Sequence, residues 1–560
     1  MRIALCQFNP VVGAIFHNAK KIKEFSSLAF LQGAELLIFP ELAICGYPPK
    51  DLLFRKELHQ QIKEALDELS CTISLPIILG APIQCQKKTG QLFCNAAVLC
   101  HEGKVEVIAR KQLLPNYEVF DERRYFEPGQ KSDGNNLFSF KGVTFGFGIC
   151  EDAWSDDLAN SQRKYEVNPV ADLVAQGADI IVNIAASPFS TNKPLLREAM
   201  FSNIAKRHQR PLMMVGQVGA NDQLIFDGHS MFLDAQGKIL ARANLFEEGL
   251  LFVEVKSKTE VLAVDLQSLT PLPHKIALMS SAIVLGIKEY VGKCQAPGVL
   301  LGLSGGIDSA VVAALAVRAL GSDQVIGVRM PSQYSSEHSL IDAKELAENL
   351  GIRLLDIPIE TAVEASRAAL VASLDACLPF DLDIADQNLQ ARMRSVMLMA
   401  LSNCNHYLVL STGNKSELAM GYATLYGDMS GALAPLGDVY KTDVWNLARF
   451  LNQSGVCIPE NSITKIPSAE LKANQCDQDT LPPYDLLDQV LFQYIDCDRD
   501  VSQIAKNTPL PLDAIKRIIR SVNANDYKRK QAAIILMVSE RVFGDGRRWP
   551  VAKRFDPFAL

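Results

Sequence analysis

The hydrophobic rhythm of the chain changes near its middle. Up to about Val255, short apolar runs alternate with stretches of helical spacing. RIALCQF, ELLIFPEL, LPIILGAP, GVTFGFGIC, ADIIVNIAAS and PLMMVGQVG each have the length and β-branched or aromatic content of a strand. Asn18–Gln32 carries apolar residues at helical intervals, and a second helix ends across Asp172–Gly177. NAAVLC and KVEVIARK read as two strands joined around His101–Gly103. GHSMFLDAQGKILARA reads as a hairpin turning at Asp234–Gly237. Residues 256–275, KSKTEVLAVDLQSLTPLPHK, break the pattern with two prolines and scattered polar positions, and are predicted to be a linker.

Beyond the linker the alternation is more regular. A helix is predicted over Ile276–Cys294. It is followed by the strand GVLLGLS, the helix DSAVVAALAVRAL, the strand QVIGVRMP and the helix SLIDAKELAENLG, closed by Gly351. RLLDIPI, a helix over Arg392–Ser402 and HYLVLSTG continue the series. Strands that are apolar on both faces belong in a parallel, doubly wound sheet. The expected organisation is therefore α/β throughout, with a strand-rich domain over 1–255, a linker over 256–275 and a βα domain over 276–560.

Composition narrows the functional classes. The 560 residues are 48% hydrophobic and 21% charged, which is ordinary globular composition with ample core for two or three domains. The net charge of −7 disfavours a surface built to coat nucleic acid or anionic membrane. No uninterrupted apolar window approaches the length of a membrane span, and no long apolar segment precedes the first strand. A soluble, cytoplasmic protein is expected. Thirteen cysteines, none in a C-x-x-C pair, point away from a metal cluster or disulfide scaffold and toward mostly buried thiols. The segment Tyr527–Phe555 is basic and reads either as a solvated surface or as a site for a phosphate-rich ligand.

Two constellations carry chemistry. Glu41, Lys111 and Cys150 each stand where an apolar strand ends, the position at which α/β proteins present reacting groups. Singly, a free cysteine is more often an inert buried thiol, and a Glu or Lys a surface charge. Together they form an amide-cleaving set, with a carboxylate to take the thiol proton, a thiolate nucleophile and a fixed cation for the oxyanion. The second constellation is LGLSGGIDS at 301–309, a strand, a small-residue loop and a helix start. Its glycines and the helix N-terminus suit an anion. It lacks G-K-[ST] and so is not the loop that grips a γ-phosphate. Asp308 within it requires a bridging cation such as Mg²⁺ if phosphate is to bind.

FPELAICGYPPKDL, RKQLLPNYEVFDERRYF and GICEDAW resemble the nitrilase, or carbon–nitrogen hydrolase, superfamily over residues 1–255. The resemblance implies an αββα sandwich and a Glu41–Lys111–Cys150 triad. More narrowly, these segments are similar to the glutaminase domain of glutamine-dependent NAD synthetases. That implies glutamine contacts at Tyr117, Glu151, Ser187 and Lys193, with Tyr47 and Phe120 lining the pocket. Glu151 suits the ammonium group of glutamine and Lys193 its α-carboxylate.

S-G-G-x-D-S resembles the ATP pyrophosphatase signature. STGNKSE, TLYGD, PLGDVYKT and the tail KRKQ…FGDGRRWPVAKRF are similar to NAD synthetases across most of 276–560. The implied fold is a Rossmann-like adenine nucleotide alpha hydrolase domain. The implied ATP contacts are Leu303, Ser304, Gly305, Gly306, Ile307, Asp308, Ser309, Thr412 and Lys441. Asn388, Arg392, Glu417, Asp428 and Lys528 are implied to bind deamido-NAD, Asn388 and Arg392 across a dimer interface. Asp308, Glu417 and Ser468 are implied at a Mg²⁺ site. One departure is that Ala532–Ala533–Ile534 follow KRKQ where the family pattern has a Pro-Pro step.

The resemblance thus implies a glutamine-hydrolysing ligase that spends ATP to amidate deamido-NAD. It further implies a homo-oligomer assembled through the synthetase half, and the fusion of two such halves on one chain suggests an ammonia tunnel. Two alternatives remain open at this level. One is another amidotransferase of the ATP-pyrophosphatase class, and the other is an amidase whose nucleotide-binding half is not catalytic.

Overall fold

The structure is a computed structural model. It describes all residues except 86–89, 131–132, 135, 157–164, 257–260, 264–268, 270, 374–381, 556–557 and 559–560. The chain divides into two compact units, Met1–Pro273 and His274–Leu560.

The first unit is built on two sheets. One has seven strands in the order Val261–Ala263, Gly249–Val255, Arg2–Gln7, Leu36–Ile38, Ile77–Gln84, Phe93–His101 and Lys104–Arg110. The other has six, in the order Ile239–Arg242, Met231–Leu233, Leu212–Gly216, Ile180–Ala185, Val143–Ile149 and Leu137–Phe140. Ile3, Leu5, Leu36 and Ile38 of one sheet share a core with Phe145, Phe147, Ile149, Val182 and Met213 of the other. Each such side chain, taken wholly out of water, contributes about 1.5–3 kcal/mol. Helices Ile15–Leu31 and Lys56–Thr72 belong with the first sheet, and Pro169–Ala175 and Lys193–His208 with the second. This is the expected αββα sandwich.

Several local expectations shift. ELLIFPEL keeps strand pairing only over Leu36–Ile38, because Pro40 and the turn at Glu41 and Leu42 end it. The helix Lys193–His208 and the hairpin of Val218–Asn221 with Leu224–Asp227 are additional to the elements predicted. Much of 256–275 lies outside the described residues. Within it, Val261–Ala263 pairs antiparallel with Val253–Val255, so part of the stretch read as linker extends the first sheet.

The second unit has a four-stranded parallel sheet in the order Arg353–Asp356, Val325–Arg329, Val299–Gly302 and Leu408–Val409. Numbered by sequence this is 3-2-1-4, the doubly wound order. The first strand lies at the point where the winding reverses, beneath the SGGIDS loop, and such crevices take ligands. The helix Glu337–Leu350 is capped by the Ser336 side chain and ends on left-handed Gly351. No helix among the described residues is long and apolar enough to cross a membrane.

The cysteines depart from expectation. Cys85 and Cys94 form a disulfide. Among the described free cysteines, only Cys6, Cys45, Cys100 and Cys150 are buried, while Cys71, Cys294, Cys404 and Cys497 are exposed.

Candidate functional site

In the first unit, Lys111 stands at the end of its strand with its backbone N–H on the Asn95 carbonyl. Its ammonium lies 2.7 Å from Glu41 Oε1 and 2.7 Å from Glu122 Oε1, all three side chains withdrawn from solvent. Glu41 is held from two further sides, by Asn95 Nδ2 at 2.7 Å and by the Ala186 N–H at 2.8 Å. Tyr47 donates to Glu122 at 2.9 Å. The Glu41 turn also needs Gly80. A Cβ there would meet Leu42 N at 2.1 Å and Glu41 Cα at 2.6 Å, so no other residue fits without moving the carboxylate.

Cys150 follows the strand Val143–Ile149 and opens a short 3₁₀ turn. Its φ of 47° is left-handed, which an L side chain adopts only when its surroundings impose it. Burial, reinforced by the negative charge of Glu41, pushes its thiol well above the ordinary range, and Lys111 opposes this. Burial works against a charged Lys111, but Glu122 and Glu41 outweigh it and hold the ammonium protonated. Burial pushes the Glu122 carboxyl up to about 7 despite Lys111. The ensemble is one cation held between two carboxylates beside a neutral thiol. It can store the proton of a nucleophile and neutralise a developing oxyanion.

Around this group, Tyr117 donates to both oxygens of Glu151 at 3.0 Å, and Tyr165 also donates to Glu151. Tyr117 and Phe120 meet edge to face at 5.2 Å. Ser187 follows Ala186, whose N–H holds Glu41. The Lys193 ammonium lies 5.8 Å from the centre of the Trp154 ring, on the turn that carries Glu151.

In the second unit a cavity of about 310 Å³ opens over the SGGIDS loop. Gly305 has φ 75°, and a Cβ on it would meet the Ser339 carbonyl at 2.3 Å, so only glycine closes this turn. The hydroxyls of Ser304 in the loop and Ser309 in the first turn of the helix Ile307–Leu320 face each other at 3.2 Å. Lys441 pairs with Asp308 and lies 3.5 Å from Glu417, while Asn414 Nδ2 donates to Asp308 at 2.9 Å. Burial and the neighbouring Asp308 push the Glu417 carboxyl up to about 8. Burial likewise lifts Asp477 above its usual range. Three acids thus crowd around one lysine.

Two family models divide the chain, carbon-nitrogen hydrolase over residues 2–263 and NAD synthase over 279–532. The chain is 45% identical to the glutamine-dependent NAD(+) synthetase of Synechocystis sp., over 99% of each chain. It belongs to the glutamine-dependent NAD(+) synthetase family. The Thermotoga maritima relative of that name is 38% identical over 99% of each chain. A solved glutamine-dependent NAD(+) synthetase from Acinetobacter baumannii, in complex with ADP, is 37% identical. It superposes with a TM-score of 0.76 over 98% of each chain. That of Cytophaga hutchinsonii shares the fold, with a TM-score of 0.82 at 21% identity over 99% of this chain and 98% of that one.

For a glutamine-dependent NAD(+) synthetase the cavity is the natural meeting point of the residues singled out in the second half. Leu303, Ser304, Gly306, Ile307, Asp308, Ser309, Thr412, Glu417, Asp428, Lys441 and Ser468 all line it. Gly305 turns away, its carbonyl accepting from Ser462 Oγ at 3.1 Å. Burial pushes Asp428 up to about 6, and its carboxylate accepts from the Thr424 N–H at 2.6 Å.

Three expected dinucleotide contacts stand outside the lining. Asn388 accepts from Thr424 Oγ1 at 2.7 Å, Arg392 Nε donates to the Leu425 carbonyl at 3.1 Å, and Lys528 donates to the carbonyls of Gly421 and Ala423 at 2.7 and 2.8 Å. They brace the 421–425 segment. Arg394, two positions along the same helix, lines the cavity instead, its Nε on the Met330 carbonyl at 3.2 Å.

Ser468 is engaged within its own loop, donating to the Gln475 carbonyl at 2.6 Å. The described residues form no group of three or more acidic, His or Cys side chains arranged to hold a metal. Asp308 and Glu417 nonetheless fit a hard cation that arrives with phosphate. Both are carboxylates on the cavity wall, the oxygen donors that such a cation takes.

Part of the basic tail is occupied internally, while Lys530, Arg548 and Arg554 are exposed. Asp526 gathers Arg529, Arg547 and Lys553. Where the Pro-Pro step is missing, Ile534–Ile535 pairs in parallel with Leu433–Ala434.

Sequence reasoning missed Glu122, Asn95, Asp152, Tyr165 and Arg394. The first lies in DERRYF, where a run of charges reads as surface. The others carry no local signal beyond their neighbours.

Proposed function

We propose that the chain makes NAD by ATP-dependent amidation of deamido-NAD, with ammonia released from L-glutamine. The observation that carries this reading is that each half holds its own charge arrangement. Lys111 sits between Glu41 and Glu122 beside Cys150, and Lys441 sits between Asp308 and Glu417 over the SGGIDS loop.

In the first half, Glu41 takes the Cys150 proton and the thiolate attacks the glutamine amide carbon. Lys111 neutralises the oxyanion, and the proton returns to the leaving ammonia. Glu41 then takes a proton from water, which attacks the thioester and releases glutamate and the thiol. Glu151, oriented by Tyr117, holds the substrate ammonium group. Lys193 answers the α-carboxylate, and Tyr47, Phe120 and Ser187 bound the pocket.

In the second half, an oxygen of the nicotinate carboxylate attacks the α-phosphorus of ATP and expels pyrophosphate. Ammonia attacks the carbonyl carbon of the adenylate, and AMP departs with that oxygen. Backbone N–H groups of Ser304–Ser309 and the helix start hold the phosphates, with Thr412 beside them. Lys441 stabilises charge at the reacting phosphate. Asp308 and Glu417 would hold Mg²⁺, whose contribution when bound is to neutralise phosphate charge. Asp428 faces the dinucleotide and Lys528 binds it, while Asn388 and Arg392 reach it across a dimer interface; these last three also brace the 421–425 segment.

The test is an isotope transfer. Deamido-NAD labelled with ¹⁸O in its nicotinate carboxylate should yield AMP carrying one ¹⁸O, together with pyrophosphate. Label appearing in ADP or inorganic phosphate would refute adenylation.

A further inference from the structure

Glu151 and Asp152 are adjacent acids with unrelated surroundings. Glu151 is met by tyrosine hydroxyls, whereas the Asp152 carboxylate is wholly buried among backbone N–H groups. Its Oδ1 accepts from Gln112 N at 3.0 Å and Leu113 N at 2.8 Å, the two residues that follow Lys111. Its Oδ2 accepts from Ile149 N at 3.0 Å, the residue that precedes Cys150. One carboxylate therefore bridges the chain immediately after the cation and the chain immediately before the nucleophile.

We propose that Asp152 is a positioning residue for glutamine hydrolysis, fixing the separation of Cys150 and Lys111 by tying together the two strand ends that carry them. This rests on the glutaminase reading of the first half.

Three features support the inference. The strands that carry Lys111 and Cys150 belong to different sheets, so no ladder hydrogen bond sets their spacing. Cys150 is held left-handed, and a fixed Ile149 N–H on one side and a fixed Cys150 carbonyl on the other restrain it there. The second restraint comes from Asn183 Nδ2 at 3.3 Å. The carboxylate is also kept at a cost. Burial pushes Asp152 up to about 6, even though bonds from Ile149, Leu113 and Gln112 and the charge of Lys111 pull it down. A neutral side chain would fill the space without that cost, but none of its size accepts three N–H groups on two oxygens.

The test uses the full chain with Asp152→Asn and Asp152→Ala. Asparagine keeps the oxygen that serves Gln112 and Leu113 but sets a donor against the Ile149 N–H. Alanine loses all three bonds. Three readouts are taken: glutamate release from glutamine, the rate at which iodoacetamide alkylates Cys150 (followed on its peptide by mass spectrometry), and NAD formation from ammonium.

Displacement of the reacting groups by about 1 Å lowers turnover on the order of 10²-fold. The expected result for Asp152→Asn is therefore a kcat for glutamine lower by about that factor, KM within about threefold, slower Cys150 alkylation and unchanged ammonium-supported synthesis. Asp152→Ala should show the larger defect. A normal kcat and alkylation rate in Asp152→Asn would overturn the proposal. So would a loss of glutamine turnover matched by an equal loss of ammonium-supported synthesis, which would mark a structural residue. If unaltered protein releases no glutamate, it is the glutaminase reading that fails. The alkylation ratio between variants and parent still decides the positioning claim.

Discussion

Replacing Lys111 by methionine isolates the central electrostatic feature of the first unit. The lysine makes two contacts of 2.7 Å to carboxylates, and no side chain of the three is more than 5% exposed. At an effective dielectric near 20, each contact is worth about 6 kcal/mol of Coulomb attraction, much of it offset by desolvation. Removing one partner of a buried pair costs about 3–5 kcal/mol, because the remaining charges are left uncompensated. For a unit of this size that is a fall in melting temperature of roughly 10 °C.

The penalty has a sign in pH. Glu122 already sits at about 7 beside Lys111, because burial disfavours its charge. Without the lysine it rises further. A carboxyl raised above its unfolded value near 4.5 binds its proton more tightly when folded. The stability tied to that proton is present at low pH and lost as pH rises through the folded value. Lys111→Met should therefore melt close to the parent at about pH 5 and well below it at about pH 8. Calorimetry of the full chain reads both, with the first-unit transition assigned by its shift on Cys150 alkylation. Glutamine hydrolysis should fall by at least about 10²–10³-fold at any pH. A melting deficit that is absent, or equal at the two pH values, would show that Lys111 does not compensate buried carboxylate charge.

Other perturbations separate the two halves. Gly80→Ala forces a Cβ into the Glu41 turn and should lower glutamine turnover about 10²-fold while sparing ammonium-supported NAD formation, as steady-state assays with each nitrogen source would show. Lys441→Met leaves Asp308 and the already raised Glu417 without their cation. NAD formation should be lost with either nitrogen source, and glutamate release retained. Chelation of divalent metal should have the same selectivity, stopping NAD formation but not glutamine hydrolysis, with recovery on adding Mg²⁺.

The sequence made strand ends visible, and with them Glu41, Lys111 and Cys150, because each follows an apolar run that stops abruptly. It made the SGGIDS loop visible for the same reason. Glu122 was hidden because its role comes from packing. Only in three dimensions does a charge from DERRYF turn inward to meet Lys111 and Tyr47. Asp152 was hidden because its partners are backbone N–H groups, which no residue pattern reports. Arg394 lines the cavity, while Arg392, about 200° round the same helix, donates to the Leu425 carbonyl; no residue pattern distinguishes the two positions. The missed helix Lys193–His208 carries little contrast between its faces, since Arg197 is buried and Leu195 exposed.

On this reading one chain holds two separable chemistries, ammonia release at Cys150 and amidation over the SGGIDS loop. The most direct test is NAD formation by the parent and by Cys150→Ala, each given deamido-NAD, ATP, Mg²⁺ and either glutamine or ammonium. NAD is expected from both nitrogen sources with the parent, and from ammonium alone with the variant. NAD from glutamine with Cys150→Ala, or no NAD from the parent with either source, would contradict this reading.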